Sequence, residues 1–125
     1  MTALKETAGV LVEVARKAGA DDVVVEVMDS TVDQIRFSNA QIDISNSWSQ
    51  LHAHVFVSVA GRTISSDVRD LSKGRSTVRQ MVGLAKLSPV NEGYLGIASG
   101  KFKYKRGRVD QRIVDLKDPA KYVHD

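Results

Sequence analysis

Two histidines on one predicted strand are the residues of this sequence best placed to do chemistry. His52 and His54 are two positions apart, and both project from the same side because strand side chains alternate between faces. Such a pair can hold zinc when a third nitrogen, sulfur or carboxylate ligand is near. Asp33 or Asp43 would supply that ligand only if the strand register brought one of them there. We therefore interpret the two histidines as exposed or interface side chains.

Other motifs that would indicate a reaction centre are incomplete in this sequence. Residues 96–101 have three positions between their two glycines where a phosphate loop has four, and Phe102 follows Lys101 where a Ser or Thr would hold magnesium. The sequence has no Gly-x-Ser-x-Gly elbow, no His-Glu pair and no cysteine, so it lacks the usual hydrolase, zincin and thiolate ligand groups. We predict no catalytic, cofactor-binding or metal-ligating residue in this chain.

A basic run late in the chain suggests an alternative function. Lysine and arginine alternate with Phe102 and Tyr104 between residues 101 and 108. The cations could neutralise phosphates while the rings stack on bases, but the same pattern is typical of an edge strand or a solvated linker. The formal net charge of +3 is small, so the whole chain shows no nucleic-acid footprint. A small nucleic-acid-binding module using residues 101–108 remains the alternative.

Alternating apolar and polar residues between positions 22 and 67 predict the sheet that positions the histidines. Ala53, Val55 and Val57 fall on one side of residues 50–59, and His52, His54 and Phe56 fall on the other. We predict five strands, at residues 22–28, 31–38, 41–46, 50–59 and 62–67. Short links at residues 29–30, 39–40, 47–49 and 60–61 require antiparallel neighbours, since a parallel connection needs a dozen or more residues.

Helical periodicity brackets this sheet. Apolar residues recur at steps of three and four between Leu4 and Ala18, and again around Val78 and Met81 before Pro89. We predict an α+β fold, a five-stranded antiparallel meander with both amphipathic helices packed on one face. That face carries Val25, Ile35, Ile44, Val55 and Val57. Residues 1–89 form the domain, and residues 90–125 form a loop, a basic segment and the start of a following, truncated region.

The opposite face of the predicted sheet is less polar than a solvated face. Val24, Met28 and Val32 are dispersed over it together with Trp48 and Phe56. Scattered surface apolar residues are normal, whereas a merged patch would mark a surface covered by another domain or subunit. Both interpretations remain open. The candidate interface consists of Trp48, His52, His54 and Phe56.

The N-terminus and the apolar runs indicate where the protein resides. No apolar run approaches the roughly 20 residues that a membrane-crossing helix needs, and the start of the chain lacks the apolar region of a signal peptide. The absence of cysteine is typical of a reducing compartment. We expect a soluble, cytoplasmic protein.

Residues 36–43, Arg-Phe-Ser-Asn-Ala-Gln-Ile-Asp, resemble a segment of the TldD/PmbA family, the so-called modulators of DNA gyrase. The first helix, the hairpin at residues 55–64 and the helix before Pro89 follow the order of that family's N-terminal domain. Residues 110–123 are similar to the family's link toward its middle region. The order of elements matches that family from about Leu4 to Pro89.

This resemblance implies a domain of a zinc-dependent peptidase. Zinc is expected in the full-length catalytic subunit, on a His-Glu-xxx-His helix and a distant cysteine, and companion subunits lack that motif. None of those ligands has a counterpart here, so the chain alone is expected to be inactive, as a fragment of a longer protein or a free-standing first domain. Its implied role is a non-catalytic wall of the substrate chamber. The implied partners are the remaining domains, a homologous subunit in a homo- or heterodimer, and an unfolded peptide, with neither membrane nor nucleic acid expected.

Overall fold

A computed structural model describes residues 2–122 and shows an α+β fold. Its helices are α1 (Thr2–Lys17), α2 (Gly74–Leu87) and the short α3 (Gln111–Val114), and its strands are β1 (Asp22–Ser38), β2 (Gln41–Val59) and β3 (Arg62–Val68). Short 3₁₀ turns lie at Leu71–Lys73 and Pro119–Tyr122. The strand order is β1-β2-β3, and β3 pairs antiparallel with β2. Within the described residues, no helix combines the length and the apolar character that crossing a bilayer requires.

The chain divides into two compact units. The first, here called the helix-sheet unit, comprises Met1–Ser30 and Gln50–Ala98. The second, the hairpin unit, comprises Thr31–Ser49 and Ser99–Asp125. The domain boundary that the sequence predicts after Pro89 remains a prediction.

The prediction of five strands is wrong, because only two of the predicted breaks in the sheet are turns. Asn39 and Ala40 have φ of 48° and 58°, and Ala60 and Gly61 have φ of 48° and 73°. These left-handed pairs are what two-residue hairpins favour. Residues 29–30, in contrast, continue β1, and residues 47–49 continue β2. The sheet therefore has three strands, two of them long.

Pairing between the long strands explains why the other breaks do not form. Thr31 Oγ1 and Ser49 Oγ are 3.0 Å apart, so β1 and β2 still run side by side where the sequence predicts links. A continued ladder pairs the backbone N–H and C=O groups of both strands, whereas a turn would leave some of them to water. The free energy gained by this pairing is larger than the local preference of Asp29 and Ser30 for a turn.

The two predicted amphipathic helices are confirmed, and the core of the helix-sheet unit lies between them and one face of the sheet. Val55 and Val57 are fully buried, and Val25 packs against the same core. The core combines α1, the sheet and α2 through Leu11, Val14, Ala15, Val23, Ala53, Val55, Val57, Val68, Val78, Met81, Val82 and Ala85. The predicted core face is too long, however. Ile35 is only half-buried and Ile44 is 40% exposed, and both belong to the hairpin unit.

Two glycines allow the helices of this unit to end and to pack closely. Gly19, at φ 106°, follows α1, and its N–H donates to the carbonyl of Arg16, as in a helix end that needs a left-handed residue. Gly74 begins α2 beside α1, where an added Cβ would lie 3.1 Å from Leu11 Cδ2. A Cβ at position 74 would therefore require the Leu11 side chain to shift by a few tenths of an ångström.

Candidate interface on the outer face of the sheet

The candidate interface residues lie on β2, on the side that faces away from the core. Ala53, Val55 and Val57 point into the core, so His52, His54 and Phe56 occupy the opposite side, here called the outer face. Trp48 belongs to the hairpin unit and is 39% exposed. The structure thus brings three of the four predicted residues together in one unit.

His54 forms a cross-strand pair on the outer face. It is the register partner of Asp67 on β3, and His54 Nδ1 lies 2.7 Å from Asp67 Oδ1. This hydrogen bond lowers the pKa of the Asp67 carboxyl. The sequence contained the signal for this pair, because His54 and Asp67 lie equal numbers of steps from the two-residue turn at Ala60 and Gly61.

His52 is the less accessible of the two histidines. Its Nδ1 is buried and has no hydrogen-bond partner among the described residues. Asp43, one of the carboxylates considered as a third ligand, accepts a hydrogen bond of 2.7 Å from the Ser38 hydroxyl in the hairpin unit. Across residues 2–122, no three His, Cys, Asp or Glu side chains gather as metal ligands would. The zinc that the family resemblance implies is expected on ligands elsewhere in a full-length catalytic subunit, and the expectation that this chain holds no metal stays a prediction.

Tyr94 covers part of the outer face. Its ring packs against Phe56 with 5.6 Å between centroids and an interplanar angle of 48°, and its hydroxyl donates to Asp22 Oδ2 at 2.7 Å. Burial, and then the neighbouring Asp22 carboxylate, raise the pKa of Tyr94, while the hydroxyl of Ser58 acts in the opposite direction. Ser58 itself is only 1% exposed although it lies on this face. The chain therefore closes this part of its own sheet.

The segment that carries Tyr94, residues 88–95, is here called the strap. Asn91 attaches the strap to the hairpin that joins β2 and β3. The Asn91 N–H donates to the carbonyl of Gly61 at 2.9 Å, and Asn91 Nδ2 donates to Thr63 Oγ1 at 3.2 Å. Arg62 Nε donates to the carbonyl of Ser88 at 3.0 Å. Sequence reasoning missed the strap because it has no periodicity, and its contacts join residues that are far apart in the chain. On this face, His54 and Asp67 remain exposed.

The basic run is exposed and has no regular secondary structure. Residues 101–110 form neither helix nor strand, so the edge-strand interpretation is wrong for this segment. Phe102 and Tyr104 lie with ring centroids 6.3 Å apart and are 52% and 87% exposed. This geometry does not favour the nucleic-acid alternative over a solvated segment.

Comparison with known proteins identifies a solved structure with a similar fold. No family model and no curated protein matches the sequence. Among solved structures, TldE from Thermococcus kodakarensis is similar with a TM-score of 0.78 and 15% sequence identity, over 94% of this chain and 27% of the TldE chain. The resemblance to the TldD/PmbA family is thereby confirmed as a likeness of fold. The chain spans about a quarter of the length of the structure that it matches.

Proposed function

We propose that this chain is a non-catalytic scaffold domain of a TldD/PmbA-type zinc-dependent peptidase, in either the catalytic or the zinc-less companion subunit, in the cytoplasm. The observation that carries the proposal is the likeness to TldE over 94% of the chain. The segment at residues 36–43, which resembles that family, supports it. Because the sequence has no cysteine and no His-Glu pair, the zinc ligands belong to other parts of such a protein.

The contribution of the domain is to help wall a chamber that receives an unfolded peptide. β3 lies at one end of the strand order. Among the described residues, no further strand pairs with the backbone edge of β3 that faces away from β2. An extended peptide adds to such an edge through backbone hydrogen bonds, which read few side chains. Exposed Ser65 and Ser66 on β3 leave room for varied sequences.

Trp48 and His54 are the candidate interface residues that remain available to another domain or a homologous subunit. Trp48 is 39% exposed in the hairpin unit, and the His54 side chain is 45% exposed in the helix-sheet unit. Phe56 and His52 are already half-buried. A partner would therefore bury the most additional surface at Trp48 and at His54.

An association assay tests the proposal. The chain, mixed with TldD-type and TldE-type subunits, is expected to bind at least one of them in isothermal titration calorimetry. Trp48→Ala and His54→Ala should each weaken binding by about tenfold, as loss of an interface contact does. Leu95→Ala removes an apolar side chain that is 97% exposed, and it serves as the matched control, with binding unchanged.

A cleavage assay completes the test. With added zinc, the chain alone should leave an unfolded casein substrate intact, because it lacks the ligands that activate water on zinc. Zinc-dependent cleavage by the chain alone would contradict the scaffold role. Binding that Leu95→Ala weakens as much as Trp48→Ala would instead place the interface elsewhere.

A further inference from the structure

A groove of about 390 Å³ runs between α1 and α2 in the helix-sheet unit. Three apolar residues line it, Val10 and Val14 of α1 and Ala18 directly after that helix. Val14 is buried and the other two are half-buried, so they form a floor that is shielded from bulk water. Side chains that carry charge complete the lining, from α1 and from α2.

The charged lining of the groove is predominantly positive. Lys17, Arg75 and Arg79 face a single carboxylate, Glu13. Glu13 Oε1 lies 2.7 Å from Lys17 Nζ, and this contact, with a smaller contribution from Arg75, lowers the pKa of Glu13. Neither guanidinium forms an ion pair with a carboxylate within residues 2–122. The groove therefore presents positive charge that the unit itself does not neutralise.

The two arginines lie close to each other near the start of α2. Arg75 is the second residue of α2, and Arg79 lies one turn further on. The N-terminal end of a helix is partially positive, so anions stabilise it and cations do not. Like charges four residues apart also repel each other. Asp70 already supplies a carboxylate to the 3₁₀ turn that precedes α2, where it accepts from the Ser72 N–H, so a bound anion would mainly relieve the repulsion between Arg75 and Arg79.

We propose that this groove binds an acidic segment of a partner polypeptide. Arg75 and Arg79 form a row, with Cβ atoms about 5–6 Å apart at this helical spacing, which suits carboxylates spaced along a chain. The apolar floor suits aliphatic side chains between those carboxylates. A compact phosphate ion fits less well, because Glu13 in the same lining would repel its concentrated charge more strongly than carboxylates that are spaced along a peptide.

The groove proposal and the proposed function can fail separately. The groove lies between α1 and α2, while the proposed partner surface involves Trp48 and His54 on β2. An acidic segment could belong to any partner, whether or not that partner is a peptidase subunit. Loss of one kind of binding would leave the other unchanged.

Fluorescence anisotropy with the whole chain tests this proposal. The probe is a fluorescein-labelled 12-residue peptide containing Glu, Leu and Ser in equal numbers, at low salt. Arg75→Gln with Arg79→Gln is expected to weaken binding by about tenfold, as loss of two partly screened charge contacts does. Lys101→Gln with Lys103→Gln removes the same charge from the basic run and should change affinity by less than about twofold.

A third variant gives a result that misfolding cannot imitate. Glu13→Gln removes the only carboxylate of the groove lining, so it should tighten peptide binding by about threefold through reduced repulsion. The thermal midpoint of the double arginine variant should not fall, because the substitution removes like-charge repulsion within α2. Unchanged or weaker binding by Glu13→Gln would overturn the proposal.

Competition experiments separate the other occupants. The proposal fails if the labelled peptide does not bind, or if both double variants weaken it equally, since diffuse charge would then explain the binding. It also fails if inorganic phosphate at millimolar concentration displaces the peptide. Tighter binding of single-stranded dT12 that depends on Arg75 and Arg79 would make the groove a nucleic-acid site and would equally overturn the proposal.

Discussion

The two faces of the sheet in the helix-sheet unit are closed by different interactions. On the inner face, Val55 and Val57 are fully buried beneath two helices. On the outer face, Phe56 packs on Tyr94, Tyr94 donates to Asp22, and His54 pairs with Asp67. The inner face depends on buried apolar area, which is insensitive to pH. The outer face depends on a few polar contacts, and the strength of these contacts changes when the groups that form them gain or lose a proton.

The largest effect is expected from truncating the inner face. Val55→Ala should lower the free energy of unfolding by about 2–3 kcal/mol, because it removes two buried methyl groups and leaves a cavity. Leu51→Ala is the matched control on the same strand, where the side chain is 48% exposed, and it should cost less than about 1 kcal/mol. Urea unfolding of both variants measures the difference. Equal losses would mean that the inner face is not the core of the unit.

A smaller effect is expected from the polar contact that holds the strap. Tyr94→Phe keeps the ring on Phe56 but removes the hydroxyl that donates to Asp22, so it should cost about 1 kcal/mol. Tyr104→Phe changes a side chain that is 87% exposed and should leave the urea midpoint unchanged. A Tyr94→Phe variant as stable as the parent would show that the hydroxyl contact contributes nothing to closure of the outer face.

Alkaline pH should weaken the same contact. Burial raises the pKa of Tyr94 above its ordinary value of 10.0. The resulting contribution to stability is therefore complete below about pH 10, and it is lost as the pH rises through the higher pKa of the folded state. Between pH 9 and pH 11, the free energy of unfolding measured in urea should fall less steeply with pH for Tyr94→Phe than for the parent chain.

The smallest effect is expected at the exposed His54–Asp67 pair. The hydrogen bond from His54 lowers the pKa of Asp67 below its ordinary value of 3.8. This pair therefore contributes to the free energy of unfolding at pH values above 3.8. That contribution is lost as the pH falls through the lower pKa of Asp67 in the folded state. Asp67→Asn should shift the urea midpoint slightly at pH 5 and not at pH 2. Asp29→Asn, at an exposed site, is the control, and an equal shift by both would remove any special role for the pair.

The turns show how far local sequence information reaches. Asn39 and Ala60-Gly61 were predictable as hairpin turns, because asparagine and glycine tolerate the positive φ that these turns require. The sequence also predicted a turn at residues 29–30, where β1 in fact continues. Asp29-Ser30 contains neither asparagine nor glycine, and the outcome there depends on pairing with a strand elsewhere in the chain.

The candidate interface shows the same division. Alternation correctly separated Val55 and Val57 from His54 and Phe56, and counting from the turn at residues 60–61 would have identified Asp67 as the partner of His54. Nothing near Tyr94 indicates that it packs on Phe56. Its two main contacts, Phe56 and Asp22, are 38 and 72 positions away by residue number.

The sequence by itself determined the two amphipathic helices, two hairpin turns and the apolar side of β2, because each depends on side-chain types at fixed short spacing. Tertiary structure alone decided that the sheet has three strands, that the strap closes part of the outer face, and that cations of α1 and α2 share a groove. These features depend on contacts between distant residues, and the free energy of such contacts outweighs local conformational preference.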